Sequence, residues 1–171
     1  MVESRWPNVI GMVGIILGAL IALDQFDDLL IHVWWNEADW AGYVGPDIAD
    51  LIMRAAGSIY GRIFASIAQL CLGILLVVAS VRLRARRRSG GFLSQTWAWL
   101  AIAYAIIEIG TAALVLSAWS EEVVQIAGAG WEAWVAYGLW AALAAMIAWP
   151  LFLLIWFARQ GVKSEIAGWP D

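Results

Sequence analysis

From Trp97 to Trp119 the chain runs 23 residues with one charged side chain, Glu108. About 20 apolar residues suffice for a helix to cross the hydrocarbon core of a bilayer, so this stretch reads as a membrane span. Three more runs have the same character. The first follows Pro7 and covers Val9 to Leu23, with room to continue past Asp24 to Trp35; the others cover Ser58 to Val81 and Trp131 to Phe157. The spans fall at about 8–30, 58–82, 96–119 and 132–157. Hydrophobic residues make up 63% of the chain and charged residues 14%, too apolar a balance for a soluble domain. The connections are short, which leaves a single transmembrane domain over residues 1–171 and no sizeable soluble module. The expected fold class is therefore all-α: an integral membrane four-helix bundle. The first span is too long for a typical secretory signal and lacks its small-residue cleavage site, so it reads as a retained helix.

Orientation follows from the basic residues rather than from the net charge of −4. Arg82, Arg84, Arg86, Arg87 and Arg88 lie between the second and third spans, Arg5 precedes the first, and Arg159 and Lys163 follow the fourth. With four spans these positions share one side, which should be cytoplasmic, together with both termini. Acidic residues gather on the other side: Asp27, Asp28, Glu37, Asp39, Asp47, Asp50, Glu121, Glu122 and Glu132. An arginine run can bind anionic lipid or nucleic acid. Its plainer role is a positive-inside anchor, which is preferred here, and no nucleic-acid partner is expected.

Thirteen tryptophans are many for this length, and most of them, such as Trp6, Trp34, Trp35, Trp119 and Trp156, fall near span ends. Indole favours that boundary because its ring is apolar and its N–H is polar. Trp99, Trp140 and Trp149 lie deeper. Gly42, Gly45 and Pro46 mark a turn in the longest connection, followed by an amphipathic piece with Ile48, Leu51, Ile52 and Ala55 on one face. Gly90-Gly91 mark a turn in the inner loop, and Gly128 and Gly130 a break before the fourth span. Pro150 should kink the fourth span, since it cannot donate to the Met146 carbonyl.

Helical spacing places the polar residues of the spans. On the third, Ala101, Tyr104, Ala105, Glu108, Thr111 and Ala112 share a face whose small residues suit close helix packing, so Glu108 should point into the bundle. On the second, Ser58, Arg62, Ser66, Gln69, Gly73 and Ser80 form a stripe. Arg62, Ser66, Gln69 and Glu108 then make an intramembrane polar seam. Counted from the inner ends, Gln69 and Glu108 come to one level and should hydrogen-bond. On the first, Asp24, Asp27 and Asp28 sit at i, i+3 and i+4 and form an outer acidic cluster. An Asp24–Arg62 pair would satisfy both charges, with Asp27 or Asp28 as substitutes. Gly11, Gly14 and Gly18 form a small-residue track that includes a GxxxG, a pattern used for helix contacts.

A carboxylate at mid-membrane costs about 2.5–3.5 kcal/mol on insertion scales, so such a residue is usually neutral, partnered or functional. One reading is a proton or cation path through Glu108 and Gln69 from the acidic mouth of Asp24, Asp27 and Asp28. The plainer reading, preferred because a relay usually needs more than one carboxyl group, is a neutral Glu108 that staples two helices through Gln69. His32, the single histidine, lies among tryptophans in Leu30-Ile-His-Val-Trp-Trp35, but pigment or haem ligation is the weaker reading and no cofactor is expected. The one cysteine, Cys71, lies within a span and should be an inert thiol; the chain cannot form an internal disulfide or a cysteine-based metal site. There is no phosphate loop, metal-ligand cluster or nucleophile with a histidine base, so a non-enzymatic role is expected.

The Pro7-containing start with Ile10-Gly-Met-Val-Gly-Ile-Ile-Leu-Gly18, the run from Arg86-Arg-Arg to Trp97, and the ending Trp149-Pro-Leu-Phe-Leu-Leu-Ile-Trp-Phe-Ala-Arg159 with Val162-Lys-Ser-Glu-Ile-Ala-Gly-Trp169 carry a resemblance. The chain resembles a group of small, uncharacterised bacterial four-span membrane proteins. The likeness covers about half of the chain, on the motifs quoted, and leaves out the outer loop. It implies the topology just derived, a bacterial cytoplasmic membrane location, and an inner C-terminus that packs on the membrane or on a partner. It implies no activity. The expected role is a scaffold or accessory subunit of a larger membrane assembly, with a membrane protein or a second copy as partner. The alternative is a small transporter or channel-like protein using Glu108.

Overall fold

The computed structural model describes residues 4–34, 59–118 and 131–170, and these contain five helices. They are α1 (Trp6–Trp34), α2 (Ile59–Arg84), α3 (Arg88–Ala118), α4 (Trp131–Ala158) and the short α5 (Gln160–Ala167). No strand occurs among the described residues. Four helices are long and apolar enough to cross a membrane, over Trp6–Leu30, Ile63–Arg84, Arg88–Leu114 and Tyr137–Ala158. The chain divides into two compact units, Met1–Leu93 with Pro170–Asp171, and Ser94–Trp169.

In the first unit α1 and α2 pack antiparallel. Gly11 meets Ser80 and Arg84, Gly14 meets Leu76 and Ser80, Gly18 meets Gly73 and Val77, and Asp28 meets Ser66. Each step forward along α1 is thus matched by a step back along α2. Gly11–Gly18 and Ser66–Gly73–Ser80 repeat every seven residues. On a straight helix such a repeat drifts by only about 20° per repeat, so slight supercoiling keeps the small residues on the seam. The approach is backbone to backbone. A Cβ placed on Gly18 would lie 2.8 Å from the Gly73 carbonyl oxygen, and one on Gly73 would lie 2.9 Å from both the Ala22 nitrogen and the Gly18 oxygen. Such close van der Waals contact between small residues is the packing that holds apolar helices together where no hydrophobic drive acts between them. Leu76, at Gly14, is buried, as are Ile10, Ala79 and Leu83 in the same unit.

The turn between α2 and α3 falls at Arg86, not at Gly90-Gly91 as the sequence suggested. Arg86 has φ 52°, the left-handed region. Its N–H bonds the Leu83 carbonyl and the Arg87 N–H bonds the Arg82 carbonyl, both at 3.0 Å. These are the two bonds of a Schellman cap, whose left-handed position usually holds glycine. An arginine there costs about 1 kcal/mol relative to glycine. Its guanidinium compensates by donating to the Ser4 carbonyl at 2.8 Å, which fastens the start of the chain to the turn. Gly90 and Gly91 are instead buried in the first turn of α3. A Cβ on Gly90 would run into the backbone of Arg82 and Leu83, so glycine serves a close approach rather than a change of direction.

In the second unit, burial falls in the first half of α3 and the second half of α4. Trp97, Ala98 and Ala105 are buried on α3, and Pro150, Leu153 and Phe157 on α4. In the remaining halves Ile106, Ile107, Leu114, Trp134, Tyr137 and Trp140 are exposed. Helix α4 stays helical through the buried Pro150. The chain changes direction at Arg159, which has extended backbone angles, and α5 then packs against α4. Val162 and Trp169 are buried. The tail meets its own chain, for the Arg88 N–H at the start of α3 donates to the Pro170 carbonyl at 3.0 Å.

Candidate functional site

The seam between α1 and α2 holds the best-defined polar arrangement. Ser66, only 3% exposed, donates its hydroxyl to Oδ2 of Asp28 at 2.6 Å. So short a bond is typical of a hydroxyl donating to a carboxylate. The sequence singled out both residues but assigned them to different groups. The link follows from the antiparallel register, which brings the outer part of α1 against the early part of α2. Ser80 closes the other end of the same stripe, buried beneath Gly14. Of the stripe read from the sequence, Ser66, Gly73 and Ser80 therefore face α1.

The three aspartates of α1 are not equally covered. Asp28 is half-buried and turned to α2, whereas Asp24 and Asp27 are exposed. Asp24 accepts a bond from its neighbour Gln25 at 2.9 Å. The expected Asp24–Arg62 pair rests on a side chain outside the described residues, as does the reading of His32. Ser58, the connecting piece after Pro46, and Gly128 and Gly130 are outside them too.

Gln69 is half-buried in the first unit. Glu108 lies in the second unit and is exposed. On α3 the least accessible line runs through Ser94, Ala98, Ala101, Ala105, Ile109 and Ala112. The expected small face was thus right at Ala101, Ala105 and Ala112, but Glu108 and Thr111 flank that line. Thr111 turns its hydroxyl back to the Ile107 carbonyl at 2.8 Å. Alanine is small enough to sit on either side of a helix contact, so spacing alone could not fix the edge of the buried stripe.

The second half of α4 carries an arrangement that the sequence reading did not assemble: it placed Trp156 at a span end, Trp149 deeper and Arg159 among the inner basic residues. Trp149 stacks on Phe152 with centroids 5.2 Å apart, Phe152 meets Trp156 at 5.7 Å, and the Arg159 guanidinium lies 4.6 Å from the Trp156 ring centre. The i, i+3, i+7 and i+10 spacing that builds this ladder was visible in the sequence. Cys71 is exposed and is a free cysteine. Among the described residues no group of three or more His, Cys, Asp or Glu is placed to hold a metal ion. No family model, curated protein or solved structure matches the chain.

Proposed function

We propose that the chain is a multi-pass protein of the bacterial cytoplasmic membrane, both termini inside, acting as a non-enzymatic scaffold or accessory subunit. Its partner is a larger membrane assembly or a second copy. Two features support the membrane part: four helices of spanning length and apolarity, and the gathering of Arg5, Arg82–Arg88, Arg159 and Lys163 on one side of a four-span path. The Gly11–Gly18 track, the arginine-rich turn and the tryptophan-bearing tail align it with the small four-span bacterial proteins it resembles.

The contrast between filled and open glycines carries the reading of its role. Gly14, Gly18 and Gly73 are filled by the partner helix, which leaves no room for a water-filled route between α1 and α2. Gly110 on α3 and Gly138 on α4 have nothing within 4 Å where a side chain would begin. Small residues on an apolar helix face permit the close approach of another helix in lipid. Gentle extraction followed by mass spectrometry of the intact assembly tests this. A stoichiometric partner or a defined oligomer is expected, and Gly138→Leu should release it. A lone monomer at every detergent concentration would overturn the accessory role.

The second reading, a transporter or channel-like protein, is favoured by one observation: the protonatable Glu108 is exposed within a helix of spanning length. Proton or cation flux in proteoliposomes that disappears in Glu108→Gln would establish it. Equal flux from wild type, variant and empty vesicles would exclude it.

A further inference from the structure

We infer that the α2–α3 turn is a binding site for an anionic phospholipid, its phosphate held by Arg82 and Ser89 and its acyl chain laid along the outer stripe of α2. This rests on the membrane reading above.

The site lies wholly within the first unit. Arg82, in the last turn of α2, donates from Nη1 to the Ser89 hydroxyl oxygen at 3.1 Å; Arg82 is exposed and Ser89 half-buried. Because that oxygen accepts, its own O–H is directed elsewhere and can donate to a third atom. A guanidinium carries five N–H donors in a planar fork, of which the Ser89 bond uses one. Two donor groups from successive helices thus stand side by side at the turn. Five arginines fall between residues 82 and 88, and the sequence has no acidic residue between Asp50 and Glu108. No acidic residue lies in the first turn of α3, whose amide dipoles add positive character at Ser89.

The surroundings favour a lipid over a free anion. Ile74, Val78 and Val81 are exposed on α2 and lead directly to Arg82. Phe92, one turn after Ser89, is 70% exposed on the other flank. A phosphate bracket at the end of an apolar stripe matches an amphiphile, whose head and chain need adjoining polar and apolar surfaces. A nucleic acid would meet apolar side chains on both flanks, where it gains nothing. The arrangement goes beyond a positive-inside signal, for which the identity of residue 89 would be immaterial.

The test is native mass spectrometry of the full chain in detergent, titrated with phosphatidylglycerol and phosphatidylcholine of identical acyl chains. Phosphatidylglycerol should be retained in preference. One basic residue near a membrane surface is worth about a fivefold change in binding. Arg82→Gln should therefore lower phosphatidylglycerol retention about fivefold, Ser89→Ala should also lower it, and Lys163→Gln should leave it unchanged. Equal retention of the two lipids overturns the site, as does an equal loss in Lys163→Gln. Displacement by inorganic phosphate as effective as by the lipid would overturn the role of the apolar stripe, and capture of an RNA oligonucleotide in place of lipid would overturn the ligand class. A chain that stays monodisperse without detergent would refute the membrane reading instead.

Discussion

Gly73→Ala should destabilise the protein although alanine is the better helix former. The magnitude comes from the gap between α1 and α2. The new methyl carbon would start 2.9 Å from the Ala22 nitrogen and the Gly18 carbonyl oxygen, and 3.2 Å from the Ala22 Cα. All three are backbone atoms, so no flexible side chain can swing away. Ordinary contact begins near 3.4 Å, and the helices must part by about half an ångström. A gap of 0.5–1 Å forfeits roughly a quarter to a half of each affected van der Waals contact. Overpacking of this kind costs about 1–3 kcal/mol, against which the helix propensity of alanine offsets up to about 1 kcal/mol. The net expectation is a loss of about 1–2 kcal/mol. Gly110→Ala, read on the monomer, is the control: nothing of its own chain lies within 4 Å there, so only the propensity gain remains and stability should rise by up to about 1 kcal/mol. Reversible unfolding in mixed micelles, followed by circular dichroism, reads both. If the two substitutions shift stability in the same direction by the same amount, the close α1–α2 approach is wrong.

Removing the buried donor in Ser66→Ala should cost about 1–3 kcal/mol, because the Asp28 carboxylate loses a charge-assisted bond, while Asp24→Ala at the exposed position should change little; a Ser66/Asp28 double-mutant cycle with no coupling would count against the pair. Arg86→Gly and Arg86→Ala both lose the bond to the Ser4 carbonyl, but only glycine relieves the left-handed backbone, so the glycine variant should be about 1 kcal/mol the more stable in the same assay. Arg159→Gln should cost about 0.5–1 kcal/mol and shift the tryptophan fluorescence, since it uncovers the Trp156 ring; an unchanged spectrum would argue against the stacking.

The spans were legible because length and apolarity act locally: a run such as Ile10 to Leu23 can be judged without knowing its neighbours. The Gly11, Gly14 and Gly18 track was equally plain as a contact surface, but not what fills it. Gly73 and Ser80 stood in a stripe that reads as polar, and only the antiparallel register shows Ser80 and Gly73 to be the surface that α1 glycines require. The inner turn was misplaced for a related reason. Gly90-Gly91 is a common turn signal, yet here the pair allows two backbones to meet, while Arg86 takes the strained position because the Ser4 carbonyl lies within its reach. The helix α5 and its anchored tail were not expected from the sequence, since eight residues give too short a pattern to weigh against a loop.

By itself the sequence determined that the chain is helical, where its long apolar helices lie and which residues are small or charged on each. These properties belong to single segments. The tertiary structure decided that Asp28 rather than Asp24 reaches Ser66, that Glu108 is exposed beside the least accessible line of α3, and that an arginine occupies a position suited to glycine. Each of those outcomes depends on which helix lies opposite and in what register, and a one-residue change around a helix, about 100°, moves a side chain from a covered face to an open one.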